Sequence, residues 1–230
     1  MALGAVRFHS ANFEADDGEM IPIAEFLLRA RRLGIVDRRI LDALESVPRP
    51  IFLDGEARYG PLYAERPQPI ACGQITTPPL IVARLLVALA ATDRDRVLEI
   101  GTGTGYLAAV MSRLVRRVYT LDRFRTLVLA AQSRIASLRI ENVTPVFADG
   151  TAGWPEKAPF DRIVCTASAE SVPIALAEQL TTHGVLIMPI GPADGVQVLT
   201  RFERIDRHLV PTPICSVRLL PLIPGKAARL

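Results

Sequence analysis

The residues most able to do chemistry lie in one run, Gly101-Thr102-Gly103-Thr104-Gly105, directly after the apolar segment Val97-Leu98-Glu99-Ile100. Glycines so placed let a strand turn sharply into a helix and let a ligand touch the backbone. The pattern is G-x-G-x-G, whereas a pyrophosphate resting on a helix N-terminus favours G-x-G-x-x-G. Glu99 stands two residues before the first glycine, and a carboxylate there suits a cationic ligand better than a phosphate. Asp122 ends the next apolar segment, close to the ~20-residue offset at which an acid meets ribose hydroxyls. Asp149-Gly150 ends a third. Taken singly, Glu99 could be a strand-end charge, Asp122 a cap for a helix starting near Phe124, and Asp149-Gly150 a turn. Three acids after three successive strands, all at one edge of a sheet, point instead to one shared ligand. S-adenosyl-L-methionine carries a sulfonium and an ammonium and no phosphate, so it fits. Glu99, Gly101, Thr102, Gly103 and Gly105 would hold it, with Asp122 on the ribose and Asp149 and Gly150 at the adenine.

Methyl transfer from a sulfonium is an in-line displacement that needs alignment and a desolvated acceptor. Amino acceptors commonly meet an Asn/Asp-Pro-Pro-Tyr/Phe segment after the fourth strand. That place here reads Val164-Cys165-Thr166-Ala167-Ser168. Cytosine C5 chemistry uses a nucleophilic cysteine, commonly after proline, and no Pro-Cys pair occurs. Cys72 and Cys165 therefore read as small packing residues. A carboxylate acceptor is already nucleophilic and requires neither a general base nor a metal. No metal is expected, since the three cysteines show no CxxC and His9, His183 and His208 lack ligand spacing.

The elements that must position these residues follow from periodicity. Ile23, Phe26, Leu27 and Ala30 share one face of a helix. Asp37 can cap a second helix carrying Ile40, Leu41, Leu44 and Val47, stopped by Pro48 and Pro50. Residues 52–77 are rich in Pro and Gly without clear period, and so long a loop usually carries function. Beyond it, helices and strands alternate: a helix over 78–91, a strand over 96–100, a helix over 106–115 and a strand over 117–121. A helix with Leu127, Ala131, Ile135 and Leu138 on one face comes next. Strands over 142–148, 160–166 and 185–190 follow, with a helix over 172–180 between the last two. Residues 197–205 and 215–222 read as a closing antiparallel hairpin. Such alternation predicts a Rossmann-like, doubly wound α/β fold with a mostly parallel sheet. We divide the chain into a loosely held segment (1–20), N-terminal helices with a substrate loop (21–77), a ligand-binding domain (78–224) and a tail (225–230).

Composition narrows the class. Half of the 230 residues are apolar but only 6% aromatic, which favours an aliphatic parallel sheet over a base-stacking surface. The most apolar stretch, 79–91, is too short to span a bilayer and contains Arg84. A net charge of +3 is spread along the chain, with pairs such as Arg116-Arg117 reading as solvated surface, so no nucleic-acid partner is expected. The odd, widely spaced cysteines and an N-terminus without an apolar signal segment point to the cytoplasm.

Over residues 33–222 the chain resembles the protein-L-isoaspartate (D-aspartate) O-methyltransferase family. The resemblance is carried by Gly34-Ile-Val-Asp37, Val47-Pro48-Arg49 with Phe52, and Tyr63-Ala-Glu-Arg-Pro-Gln-Pro-Ile70. It continues in Gly73-Gln74-Ile75-Thr76-Thr77, the Glu99–Gly105 turn with Tyr106, Ala158-Pro-Phe-Asp161, Val172-Pro173, Gln179-Leu180 and Pro189-Ile-Gly191. The glycine turn is common to many methyltransferases, whereas the 73–77 segment is diagnostic. In the family that segment runs Gly-Gln-Thr-Ile-Ser, and its last residue holds the acceptor, a role the resemblance gives to Thr77. Thr77 with Pro78 and Pro79 also reads as a helix N-cap. Gln74, Gly73, Ile75, Thr76, Pro69 and Ile70 would shape the substrate pocket. Ala71, Cys72, Ile75 and His183 depart from the family's usual residues. The resemblance implies methyl esterification of isoaspartyl and D-aspartyl carboxylates in damaged proteins, beginning repair through a succinimide; apart from it, we expect a monomer. It also implies a sheet whose last two strands are exchanged relative to most methyltransferases. Two alternatives stay open: a related O-methyltransferase with another carboxylate or hydroxyl acceptor, and a protein that binds the cofactor without turnover.

Overall fold

Strand segments too apolar to show alternation must be covered on both faces, and the architecture provides that cover. The structure is a computed structural model that describes residues 23–54 and 62–227. The expectation for residues 1–20 falls outside them. Five strands run parallel: β3 (Arg96–Ile100), β4 (Arg117–Asp122), β5 (Val143–Phe147), β6 (Phe160–Cys165) and β7 (Leu180–Ile190). Two antiparallel strands, β8 (Gln197–Ile205) and β9 (His208–Val217), complete the sheet in the order β5-β4-β3-β6-β7-β8-β9. The chain reverses between β4 and β6 at β3, so the C-terminal ends of β3, β4 and β6 frame the crevice where such sheets bind ligands. Val97, Leu98, Ile163, Leu186 and Ile187 on the central strands are fully buried.

The sheet parts two apolar layers. On one side α1 (Ile23–Arg32), α2 (Arg38–Ser46), α3 (Pro79–Leu89), α4 (Tyr106–Met111) and α5 (Arg125–Ser137) pack with Val97, Val118, Val164 and Ile187. Phe26, Leu44, Phe52 and Tyr63 belong to that same cluster, so the N-terminal helices are continuous with the sheet's core. On the other side α6 (Ile174–Glu178) and Trp154 cover Leu98, Ile163, Leu186 and Met188. Asp37 caps α2 as expected, accepting from the Arg39 N–H at 2.9 Å.

Several boundaries differ from expectation. α4 stops at Met111, four residues early, where Ser112 donates back to the Ala109 carbonyl at 2.6 Å and the chain tightens into turns. β7 begins at Leu180 and not Val185. It carries an irregularity opposite Phe160–Arg162, with His183 at φ 61°, and this broke its alternation in sequence. The closing strand lies at His208–Val217 and not at 215–222. Pro211 and Pro213 disguised it, and they are tolerated because β9 is an edge strand. Residues 218–222 cross the strand ends instead, with Ser168 N donating to Leu220 O and Leu222 N to Ser168 O, both at 2.8 Å. Residues 225–227, expected as a tail, are also engaged. Gly225 N donates to Asp149 Oδ2 at 2.8 Å, and Ala227 N to Arg123 O at 2.8 Å.

Candidate active site

The diagnostic 73–77 segment folds as one arm of a small hairpin above the sheet. β1 (Pro69–Ile70) pairs antiparallel with β2 (Gln74–Ile75), joined by Ala71–Gly73. That joint takes two left-handed residues in succession, Cys72 at φ 63° and Gly73 at φ 64°. Thr76 locks the hairpin: Gln68 N donates to its hydroxyl at 2.9 Å, and its own N–H donates to Gln68 O at 2.8 Å. The Ile70 side chain lies over Gly103, so the hairpin roofs the glycine turn. Gln74 turns its amide onto Cys72 O at 3.1 Å and lines the cleft below.

Thr77 does not cap α3. The cap position falls on Pro78 without a side-chain hydrogen bond, and the missing acceptor comes from a distant residue. Both carboxylate oxygens of Glu65 accept from Leu80 N, at 3.2 and 3.1 Å. Arg29 in α1 holds Glu65 in place at 2.7 Å. Burial raises the Glu65 pKa, opposed by Arg29 and by the Leu80 N–H. A glutamate twelve residues upstream does the work that the local Thr-Pro-Pro pattern promised. Among the described residues the Thr77 hydroxyl is therefore left without a hydrogen bond.

Beneath the hairpin the glycine turn comes within van der Waals range of its neighbours. Gly101 sits at φ 95°, and a Cβ there would meet the Thr166 hydroxyl at 2.5 Å. Asp122 at the end of β4 accepts from Gly103 N and Phe124 N, each at 2.9 Å, which ties the turn to the neighbouring strand. Burial raises its pKa despite these donors. Each oxygen retains a lone pair for a further donor. Glu99 is 1% exposed, and neither of its oxygens has a partner among the described residues. Burial pushes its pKa up to about 8, with the Thr120 hydroxyl opposing and the Asp122 charge adding to the rise.

Asp149 differs. Burial acts to raise its pKa, but bonds from Thr151 and Gly225 and the nearby Arg123 charge outweigh it and leave the pKa lowered. Oδ1 accepts from both Thr151 N and Thr151 Oγ1, at 2.9 and 2.7 Å. Gly150, packed on Ile100, lines the cleft itself.

The cleft has two adjoining compartments. One, of about 100 Å³, lies among Ile70, Gln74, Asp122, Phe124, Gly150 and Leu220. The other, of about 60 Å³, lies among Arg49, Thr76, Glu99, Thr102, Tyr106 and Thr166. Ile75, Thr77, Gly101, Gly103 and Thr166 border both. The structure thus brings Thr77, Gln74, Ile75, Ile70, Gly101, Gly103 and Asp122 together. Pro69 and Gly73 shape the hairpin, and Gly105 at φ 89° starts α4. Two contributors to the cleft were not read as site residues in the sequence. Arg49 appeared only as part of a short resemblance, and residues 219–221 were placed in a strand that lies elsewhere.

An orphaned carboxylate at the end of β3 and a second acid at the end of β4 suit a ligand with a cationic end and a ribose. A backbone cradle with no room for a Cβ at Gly101 completes the seat. These residues fit S-adenosyl-L-methionine, and the fold and site together define the class of S-adenosylmethionine-dependent methyltransferases. Residues 24–227 match the family described as protein-L-isoaspartate(D-aspartate) O-methyltransferase (PCMT). A protein-L-isoaspartate O-methyltransferase of Xanthobacter autotrophicus is 45% identical over 214 residues, 93% of this chain and 97% of that protein. One from Parvibaculum lavamentivorans is 46% identical over 214 residues, 92% and 96% of the respective chains. A solved protein-L-isoaspartate O-methyltransferase superposes with a TM-score of 0.79 at 28% identity, covering 89% of this chain and 67% of that one. This chain belongs to the protein-L-isoaspartate(D-aspartate) O-methyltransferase family. No helix among the described residues is long and apolar enough to cross a membrane.

Proposed function

We propose that this enzyme transfers the methyl group of S-adenosyl-L-methionine to the free carboxylate of L-isoaspartyl and D-aspartyl residues in peptides and proteins. The ester formed would then close to a succinimide without further help from the enzyme, the following backbone amide nitrogen losing its proton and displacing methanol, which begins repair. The observation that carries this reading is the placement of Thr77. Its unengaged hydroxyl belongs to the diagnostic segment, and it borders both compartments of the cleft.

When bound, the cofactor supplies an electrophilic methyl group on a sulfonium. The chain's own residues align and desolvate the acceptor. Thr77 donates a hydrogen bond to the acceptor carboxylate and fixes its approach. Ile70 and Ile75 keep water from it, while Pro69, Gly73 and Gln74 set the hairpin's shape. Thr76 acts one step back, by holding the hairpin closed. Asp122 receives the ribose hydroxyls, and Gly150 leaves space for the adenine. Asp149, its oxygens already engaged, fixes the turn beneath that adenine. A carboxylate needs no proton removed before it attacks, so no general base is required at Thr77. We place the enzyme in the cytoplasm as a monomer acting without nucleic acid, a reading supported by three unpaired cysteines and the scattered positive charge.

The test offers labelled S-adenosyl-L-methionine with an isoaspartyl peptide and its aspartyl twin. Base-labile label on the isoaspartyl peptide alone is the expected result. Transfer to neither peptide but to another component of a cell extract would overturn the acceptor assignment. Binding of S-adenosylhomocysteine without any transfer would overturn the activity itself.

A further inference from the structure

Apart from three residues that have further partners, every buried side-chain polar atom without a hydrogen bond among the described residues belongs to Arg49, Glu99 or Tyr106. All three line the same 60 Å³ compartment. Unsatisfied buried polar groups are rare, and three residues facing one cavity mark a place built for something else to complete. Arg49 is 2% exposed. It reaches the cavity from the 3-10 turn Arg49–Phe52, which follows Pro48. Its guanidinium lies 4.7 Å from the centroid of the Tyr106 ring, and Nη2 donates to the Thr77 carbonyl at 3.4 Å. Its Nε has no acceptor, and no described carboxylate forms a salt bridge with it.

Glu65 acts on this guanidinium only through space, outside salt-bridge contact, and a buried cation held so loosely is costly unless a ligand supplies a closer counter-ion. Across the same compartment Glu99 presents the opposite charge type, equally unpartnered. A cavity with an unpaired guanidinium and an unpaired carboxyl fits a zwitterion. We propose that Arg49 is the seat of the methionyl carboxylate of the cofactor, opposite Glu99 on the ammonium, so that the compartment reads the amino-acid end as a unit. The inference rests on the methyltransferase reading above and adds a residue to it. The Tyr106 hydroxyl stands in the same cavity as a second donor to that carboxylate. An acceptor carboxylate is the other source of the same chemistry, but it would leave Glu99 unexplained. A guanidinium clamped on it would also withdraw charge from the attacking oxygen.

The experiment compares binding of S-adenosyl-L-methionine, its decarboxylated analogue and 5′-methylthioadenosine to wild type, Arg49→Gln and Arg49→Lys. Wild type should prefer the carboxylate-bearing compound over the decarboxylated one by roughly 10- to 100-fold, as for a charge-assisted hydrogen bond. Arg49→Gln should shrink that preference to about threefold or less, since the paired charge is gone. Its affinity for methylthioadenosine should stay as in wild type. Arg49→Lys keeps the charge without the fork and should fall between. No preference in wild type overturns the proposal, and this arm stands even if a variant fails to fold. So does an equal loss of methylthioadenosine in Arg49→Gln, which would make Arg49 a prop for the hairpin. A raised KM for isoaspartyl peptide with unchanged cofactor preference would hand Arg49 to the acceptor instead. A wild type that binds none of the three compounds would overturn the methyltransferase reading as well, a result no Arg49 variant can imitate.

Discussion

Glu99 and Asp149 are both carboxyl groups at the ends of parallel strands, yet their surroundings drive them apart. The first is buried without a partner and held near pKa 8, while the second is bound by Thr151 and Gly225 and lowered. Sequence placed both at the C-terminal ends of parallel strands, where they lie, but could not tell which oxygens were already in use. That depended on Gly225, 76 residues further along the chain. Thr77 shows the reverse error, a local pattern read as a cap where a remote residue supplies it. Freed of that duty, its hydroxyl can be removed at little structural cost. Thr77→Ala should slow turnover on an isoaspartyl peptide by roughly 10- to 100-fold, the worth of a hydrogen bond to a charged group. It should leave S-adenosylhomocysteine affinity nearly unchanged and move stability by no more than about 0.5 kcal/mol. Thr77→Ser should restore most of the rate. Steady-state kinetics with calorimetry checks all three. Asp122→Asn, which keeps an acceptor for the Gly103 and Phe124 N–H groups, should instead weaken S-adenosylhomocysteine roughly 10-fold or more through loss of charge.

Elements with strong periodicity were legible. β3 lies where the sequence put it, α3 differs by a residue or two at its ends, and the apolar faces read for α1, α2 and α5 fall on those helices, with only Val47 and Leu138 just past an end. Illegible were elements whose pairing overrides local pattern: the irregular start of β7, the proline-bearing β9, and β1–β2. Four residues of strand cannot announce themselves inside a Pro- and Gly-rich stretch. α3 illustrates how a distant residue completes an element. Its first turn relies on Glu65, itself anchored by Arg29, and the helix carries Thr77 at its entrance. Glu65→Ala removes a cap and leaves Arg29 without this carboxylate. We expect a loss of about 1–3 kcal/mol, which for a domain of this size is a fall in Tm of about 2–12 °C. Turnover should fall with it, since the hairpin and Thr77 hang on the same helix end. Thermal unfolding of the unliganded variant gives the first number, and saturating cofactor should recover part of the second.

At the scale of the molecule, the buried Glu99 makes stability and ligand affinity move oppositely with pH. The folded chain holds a proton up to about pH 8 that the unfolded chain releases near the ordinary carboxyl value of 4.5. The stabilisation from this group is therefore full below about pH 4.5, falls as pH rises, and is gone above pH 8. An ammonium on Glu99 favours the ionised form. S-adenosylhomocysteine should thus bind more tightly as pH rises from 6 towards 8, by up to about tenfold per unit. Calorimetry in buffers of different ionisation enthalpy should show a proton released on binding below pH 8. A Glu99→Gln protein should lose both trends. The order of the sheet has a further outcome at its margins. Its outer strands are β5 and β9, and each carries proline: Pro145 on one, Pro211 and Pro213 on the other. Proline offers no N–H, so neither margin presents an unbroken row of donors to a strand from another molecule. A protein proposed to handle ageing, misshapen chains carries a sheet that such chains cannot readily extend. Replacing Pro211 and Pro213 by valine should leave the cleft intact yet give concentration-dependent association in light scattering.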